Sequence, residues 1–298
     1  MKLLLLGKNG QVGWELQRSL APLGELVALG RHDVDLSHAD HLRERVRELR
    51  PAVIVNAAAY TAVDKAESEP TLAHAVNALA PGALAEAAHE VGSLLVHFST
   101  DYVFDGSGDV PRTETAPTAP LSVYGQTKLE GEQRVQAACD RHLILRTSWV
   151  HAARGGNFAR TMLRLAQERD ELQVIDDQIG APTGADLIAD VTAHVIRQAV
   201  RDTACLGTHH LAAAGETSWH GYARFVLDAA LDLQPGLDVR AKAVLPISTS
   251  AYPTAARRPL NSRLDTTRLR HAFGLSLPLW QTGVRRMLAE ILAPTAQT

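Results

Sequence analysis

The 298-residue chain lacks the features that would commit it to a membrane, a metal cluster or an oxidising compartment. Cys139 and Cys205 are its two cysteines and form no C-x-x-C pair. Neither a disulfide framework nor a cysteine-ligated zinc is therefore expected, and a reducing compartment fits. The thirteen histidines show no H-E-x-x-H spacing. A net charge of −3 with no long basic run removes nucleic acid and acidic membrane surfaces from the expected partners. The leucine run after Met1 and Lys2 stops at Gly7, too soon for the apolar core of a signal peptide, and no stretch approaches a membrane span. Internal repeats and low-complexity linkers are missing too. These absences leave a soluble, cytoplasmic globular protein, 46% apolar and 21% charged, long enough for two domains or one large α/β unit.

What is present is a rhythm of short apolar runs and helical stretches. Residues 2–6 read as a strand running into Gly7-x-x-Gly10-x-x-Gly13, after which Val12, Leu16 and Leu20 fall at helical spacing. In a strand–turn–helix setting, such glycines let the backbone approach a pyrophosphate. The free N–H groups of the helix start, at Gln11 and Val12, carry partial positive charge towards it. The spacing departs from the G-x-G-x-x-G dinucleotide fingerprint, and a plain turn with a helix cap fits the same residues. A second strand, 25–30, leads to Arg31 and then Asp35 and Leu36. An acid at this strand's end suits the ribose of NAD, an arginine the 2′-phosphate of NADP.

Residues 40–50 read as a helix and 52–56 as a fully buried third strand. Ala57, Ala58, Ala59 and Tyr60 follow at its carboxyl end, where ligands lie in such sheets. Pro70 opens an alanine-rich helix to about Val91. A fourth strand, 93–99, delivers Thr100 and Asp101 to the same edge, and a loop over 105–121 leads to the Tyr124 helix. A fifth strand spans 142–147. Five strands alternating with helices over 150 residues predict a Rossmann-like, doubly wound parallel α/β sheet.

Beyond Trp149 the rhythm loosens. Helices are expected over 158–168, 186–200, 218–233 and 280–292, a strand over 172–176, a loop over 177–183, and another loop carrying Pro246, Pro253 and Pro259. The expected division is an NAD(P)-binding region, 1–150, and a mainly substrate-binding region, 151–298, with segments near 185–215 returning to the first.

The chemistry centres on Tyr124-x-x-x-Lys128. Residues four apart share a helix face, so the lysine stands beside the tyrosine. A free phenol titrates near ~10, and a neighbouring ammonium favours the phenolate, making the hydroxyl a usable acid/base at neutral pH. On its own the pattern also describes a helix-end tyrosine with a solvated lysine.

Together, Gly7-x-x-Gly10-x-x-Gly13, Ser99-Thr100-Asp101-Tyr-Val-Phe104, Tyr124-x-x-x-Lys128 and Arg146-Thr-Ser-Trp149 resemble the extended short-chain dehydrogenase/reductases. Asn56-Ala-Ala-Ala59, Thr61-Ala-Val-Asp-Lys-Ala-Glu67, Asp177-Gln-Ile-Gly-Ala-Pro-Thr183 and Arg258-Pro-Leu-Asn-Ser262 are similar to the branch of that family acting on a dTDP-linked 4-keto sugar. The resemblance runs from residue 7 to residue 262. It implies reduction of C4 of dTDP-4-dehydro-L-rhamnose by NADPH or NADH. Tyr124 would donate the proton, and Lys128 would lower its pKa and hold the nicotinamide ribose. Thr100, where most of the superfamily has serine, would bond the C4 carbonyl.

By the same resemblance Gly7, Gly10, Gln11, Val12, Gly13, Arg31, Asp35, Leu36, Ala58, Ala59 and Tyr60 would hold the cofactor. Asp101 and Trp149 would face the sugar, and Arg258 and Asn261 would grip the nucleotide diphosphate. A homodimer is implied, with Mg2+ between subunits at Glu15, Asp186 and Glu290; Asp186 is shorter than the glutamate usual there, and each acid also reads as an ordinary surface helix residue. Two other readings remain open. One is an epimerase or dehydratase of the extended family, holding NAD+ tightly; the other is a non-catalytic NADP-binding relative resembling the regulatory subunit of methionine adenosyltransferase.

Overall fold

The structure is a computed structural model that describes residues 1–293. Its centre is a six-stranded, all-parallel sheet. The strands are β1 (Lys2–Leu6), β2 (Glu25–Leu29), β3 (Val53–Asn56), β4 (Leu94–Thr100), β5 (His142–Thr147) and, far along the chain, Gly207–His210. The order across the sheet is Gly207–His210, β5, β4, β3, β1, β2. The chain therefore reverses direction between β1 and β3, and ligands lie outside the carboxyl ends of the strands at such a reversal.

The strands are near-continuous apolar runs because both sheet faces are covered. On one face Leu3, Leu5, Val53, Val55, Val96, Leu143 and Leu145 pack against Leu16 and Leu20 of α1 (Gln11–Leu20) and against Ile188 and Val195. On the other, Leu4, Leu6, Ile54, Leu95 and Ile144 pack against Leu42, Val46, Leu84 and Val135. Ile188 and Val195 belong to the helix Ala185–Ala199, so the stretch near 185–215 returns to the sheet and supplies both a covering helix and the sixth strand.

The rest of the second half builds its own core. Phe158–Glu168, Trp219–Leu233 and Trp280–Leu292 are helices enclosing Met162, Leu163, Tyr222, Val226, Trp280, Val284 and Leu288. Beside them Glu171–Ile175 pairs in parallel with Ala243–Ile247. Pro246 therefore lies in a strand rather than the expected loop, and its missing N–H is tolerated because the two-stranded sheet is all edge. The expected loop over 177–183 contains the short strand Ile179–Gly180, and a second, Thr183–Gly184, begins at its end.

The alanine-rich helix after Pro70 is interrupted by a π-helical turn, Ala75–Leu79. That turn presents Asn77, whose amide accepts from Tyr60 N–H at 2.8 Å and donates to Tyr60 C=O at 3.0 Å. The segment leaving β3 is thereby pinned where the sheet edge opens.

Candidate active site

A cleft of about 870 Å³ lies over the carboxyl ends of β1 to β5. Its floor is the glycine turn. Gly7 has φ +88, and a Cβ there would meet Ala58 N at 2.8 Å; at Gly13 a Cβ would lie 2.0 Å from Gly7 O. Only glycine fits either position, and the outcome is a helix start lying flush against the strand ends. The α1 N-terminus has no side-chain cap and no acid in its first turn, so its unbonded N–H groups face the cleft without a competing anion. This cradle fits a dinucleotide pyrophosphate.

Among the expected cofactor residues, Gly7, Gly10, Gln11, Val12, Arg31, Asp35, Leu36, Ala58, Ala59 and Tyr60 line the cleft, while Gly13 acts from beneath. Arg31 is exposed at the mouth, just past β2. Asp35 is held below the usual carboxylate range, first by the Ser37 backbone N–H at 2.9 Å and then by the Ser37 hydroxyl.

The opposite wall carries Thr100, Asp101, Tyr124, Lys128 and Trp149. Tyr124 and Lys128 stand one turn apart at the start of the helix Val123–Ala138, whose N-cap Ser122 accepts from Gly125 N–H at 3.2 Å. Lys128 is buried, its Nζ donating to Phe98 C=O at 2.6 Å and lying 3.3 Å from His97 Nε2. Burial brings its ammonium down to about 8, opposed by Glu132. Tyr124 departs from expectation: burial pushes its phenol up to about 12, and the Thr100 hydroxyl, rather than Lys128, opposes the rise. The reason is the direction of Lys128, whose ammonium is drawn to the Phe98 carbonyl. A phenol protonated at neutral pH is nevertheless the form a proton donor needs.

Thr100 donates to Asp101 Oδ1 at 3.0 Å and accepts Tyr102 N–H at 3.2 Å. Burial pushes Asp101 up to about 6, with the Ser262 and Thr100 hydroxyls pulling it back. Trp149 sits at φ +48, a backbone region unusual for a bulky residue, and its indole stacks on Trp219 at 3.7 Å and 13°. Trp219 also lines the cleft; so do Tyr102, Ser99, Ser148, Thr61 and Asn9. Sequence reasoning missed Trp219, whose one sign was an aromatic at the start of an expected helix.

Arg258 and Asn261 do not line the cleft. The Arg258 guanidinium pairs with Asp64 at 2.6 Å. Asn261 is buried and ties down the preceding loop through Ser107 C=O and Val110 C=O at 3.4 and 2.9 Å. The three acids expected to hold Mg2+ between subunits are each engaged with an arginine. Glu15 lies 3.6 Å from Arg18, while Arg286 reaches both Asp186 at 3.2 Å and Glu290 at 3.4 Å. No metal-ligating group of three forms among the described residues. These acids do not fit the metal within one chain.

The sheet order, the glycine turn beneath the cleft and the tyrosine–lysine wall define the class: a Rossmann-like protein of the extended short-chain dehydrogenase/reductase type. The chain belongs to the family described as the RmlD substrate binding domain, whose model matches residues 1–293. It is 55% identical over 300 residues to the dTDP-4-dehydrorhamnose reductase of Shigella flexneri, covering 99% of this chain and 100% of that one. The protein of the same name from Salmonella typhimurium is 56% identical over 299 residues, covering 99% of each chain. Among solved structures, the dTDP-4-dehydrorhamnose reductase of Bacillus anthracis in complex with NADP superposes with a TM-score of 0.86 at 35% identity, covering 97% of this chain and 99% of that one. The Thermus thermophilus UDP-glucose 4-epimerase complex with NAD, at 20% identity and a TM-score of 0.77, shares the fold.

Proposed function

We propose that the chain is a dTDP-4-dehydrorhamnose reductase, reducing the C4 keto group of dTDP-4-dehydro-L-rhamnose to give dTDP-L-rhamnose with NADPH. The observation that carries this reading is the convergence of Thr100, Tyr124 and Lys128 on one wall of a cleft floored by the glycine turn. When bound, NADPH supplies the hydride for the carbonyl carbon. Tyr124 gives its proton to the carbonyl oxygen, and the hydroxyls of Thr100 and Tyr124 hold the negative charge that develops there. Lys128 stands one turn behind on the same wall, its Nζ held by the Phe98 carbonyl, where it can hold the nicotinamide ribose. Asp101 and Trp149 orient the sugar. Arg31, free to reach outward at the cleft mouth, pairs the 2′-phosphate. Arg258 and Asn261, expected to grip the diphosphate, lie outside the cleft wall in this chain, so that role needs them to turn from Asp64 and from Ser107 and Val110.

The purified protein should consume NADPH, followed by its absorbance, only when dTDP-4-dehydro-L-rhamnose is present. An epimerase or dehydratase would arrive with bound nicotinamide and consume none, and a regulatory subunit would bind NADPH without turnover. The reading includes a homodimer in the cytoplasm. The two buried cysteines, unpaired in the structure, agree with a reducing compartment. Because Arg286 already pairs with both Asp186 and Glu290, the dimer should survive EDTA in analytical ultracentrifugation. Dissociation by EDTA would restore Mg2+ to the interface. No helix among the described residues is long and apolar enough to cross a membrane.

A further inference from the structure

Behind the wall of the cleft, two buried polar groups that the reaction as described does not use, His97 and Asn56, lead to Lys128. His97, on β4, is 1% exposed, and both ring nitrogens have neighbours. Nδ1 lies 3.2 Å from the Asn56 Nδ2, and Nε2 lies 3.3 Å from Lys128 Nζ. Asn56 is equally buried, and its Oδ1 accepts the Ala58 N–H at 3.3 Å. Lys128 Nζ also donates to Phe98 C=O at 2.6 Å.

These contacts constrain one another. Burial and the nearby Lys128 keep His97 well below its ordinary value, so the ring is neutral, with one N–H and one lone pair. If Asn56 gives an amide hydrogen to Nδ1, the ring hydrogen is on Nε2 and points at Lys128 Nζ. An ammonium has no lone pair to receive it, whereas an amine does. The arrangement is therefore fully satisfied only with an uncharged Lys128. A charged Lys128 requires Nε2 as acceptor and the hydrogen on Nδ1. Asn56 must then turn its oxygen to the ring and release Ala58 N–H. Passing from the first state to the second takes up one proton from solvent, the ring hydrogen moving from Nε2 to Nδ1.

We propose that His97 is a positioning residue whose tautomer, set by the Asn56 amide, decides whether Lys128 stands in the cleft as an amine or an ammonium. Of the other groups around Lys128, Glu132 favours the charged form, but none reads the ring tautomer. From its own helix come Tyr124, a phenol, and Glu132, a carboxylate already bonded to Arg146 of β5. Just past the end of β4 comes Asp101, which is engaged with Thr100. Asn77 and Thr127, bonded to each other at 3.3 Å, are uncharged. The meaning of Lys128's charge for catalysis rests on the reductase reading, but the relay itself needs no substrate to be observed.

The test is a pH titration of the whole chain labelled with 13C,15N-lysine, read by NMR. Lys2, Lys8, Lys65, Lys128 and Lys242 are the lysines of the chain, so the Lys128 resonance is separable and is identified by its loss in Lys128→Arg. His97→Leu removes the acceptor of the ammonium and should lower the Lys128 midpoint by about one pH unit. His97→Gln, whose amide can present either oxygen or nitrogen, should bring it back to within roughly half a unit. Asn56→Asp accepts but cannot donate, so it should raise the midpoint by about one unit or more and hold the ring hydrogen on Nδ1 at every pH. A midpoint common to all four proteins overturns the proposal. Should the variants fail to fold, the ring 15N spectrum of the unaltered protein decides. The hydrogen must move from Nε2 to Nδ1 as the pH falls through the Lys128 midpoint, and a hydrogen that stays put overturns the relay. Absence of NADPH turnover with these signatures present would count against the reductase reading alone.

Discussion

Replacing Glu132 by glutamine should destabilise the protein more than any other single charge removal near the cleft. Glu132 and Arg146 are 1% and 5% exposed, and the guanidinium binds both carboxylate oxygens, at 2.9 Å through Nε and 2.6 Å through Nη2. Arg146 also lies 5.2 Å from the centre of the Phe104 ring, so its charge has little access to water. Removing the carboxylate leaves that charge buried and uncompensated, at a cost of about 3–5 kcal/mol. An unfolding entropy of about 2 cal/mol/K per residue over this length gives roughly 0.6 kcal/mol/K, so Tm should fall by roughly 5–8 °C. Thermal unfolding by circular dichroism at pH 7 measures it. The loss should persist in about 0.5 M salt, because buried pairs are poorly screened. Glu132→Leu combined with Arg146→Met, which removes both charges, should regain most of the stability. A drop under about 1 °C in the single variant, or a double variant as damaged as the single one, would refute the reasoning.

Tyr124→Phe should lower kcat by about 10²-fold or more while leaving NADPH affinity intact, since the ring remains; near-normal kcat would end its role as proton donor. Arg31→Ala should raise KM for NADPH and leave that for NADH nearly unchanged, and equal losses with both would show that Arg31 does not read the 2′-phosphate. Asp101 has a folded-state pKa raised to about 6 from an ordinary 3.8, so its contribution to stability is full below pH 4 and is lost as pH rises through 6. Asp101→Asn should accordingly be more stable than the parent at pH 7.5, by on the order of 2–3 kcal/mol, with the advantage gone near pH 4; parallel Tm-against-pH curves would contradict the shift.

Much of the sheet was legible because β1 to β5 are long apolar runs, and their spacing alone brings Gly7, Thr100 and Tyr124 to one edge. The sixth strand was not. Gly207-Thr-His-His210 has no apolar residue, and it becomes a strand because β5 offers it an open edge. Pro246 argued for a loop, and it lies in a strand because that strand, Ala243–Ile247, has a free outer edge where no N–H is needed. The tyrosine–lysine spacing located the pair correctly on one helix face. It could not show that the Phe98 carbonyl, a main-chain atom with no trace in residue identity, would turn the ammonium away from the phenol. The sequence distance between Arg258 and Asp64 likewise hid the ion pair that occupies that arginine.

The return of residues 185–210 to the sheet bears on how the chain folds as it leaves the ribosome. When residue 150 emerges, five strands can pair, yet β5 still presents a bare edge, and the face built by Leu16 and Leu20 lacks the helix carrying Ile188 and Val195. Such an intermediate shows water an apolar surface and an unpaired strand, the two features that invite self-association. A fragment ending at residue 150 should thus aggregate, whereas one ending beyond residue 210 can close its sheet. The half that carries the glycine turn is completed by residues that come after the first part of the other half, so a cut at residue 150 should leave it without part of its own core.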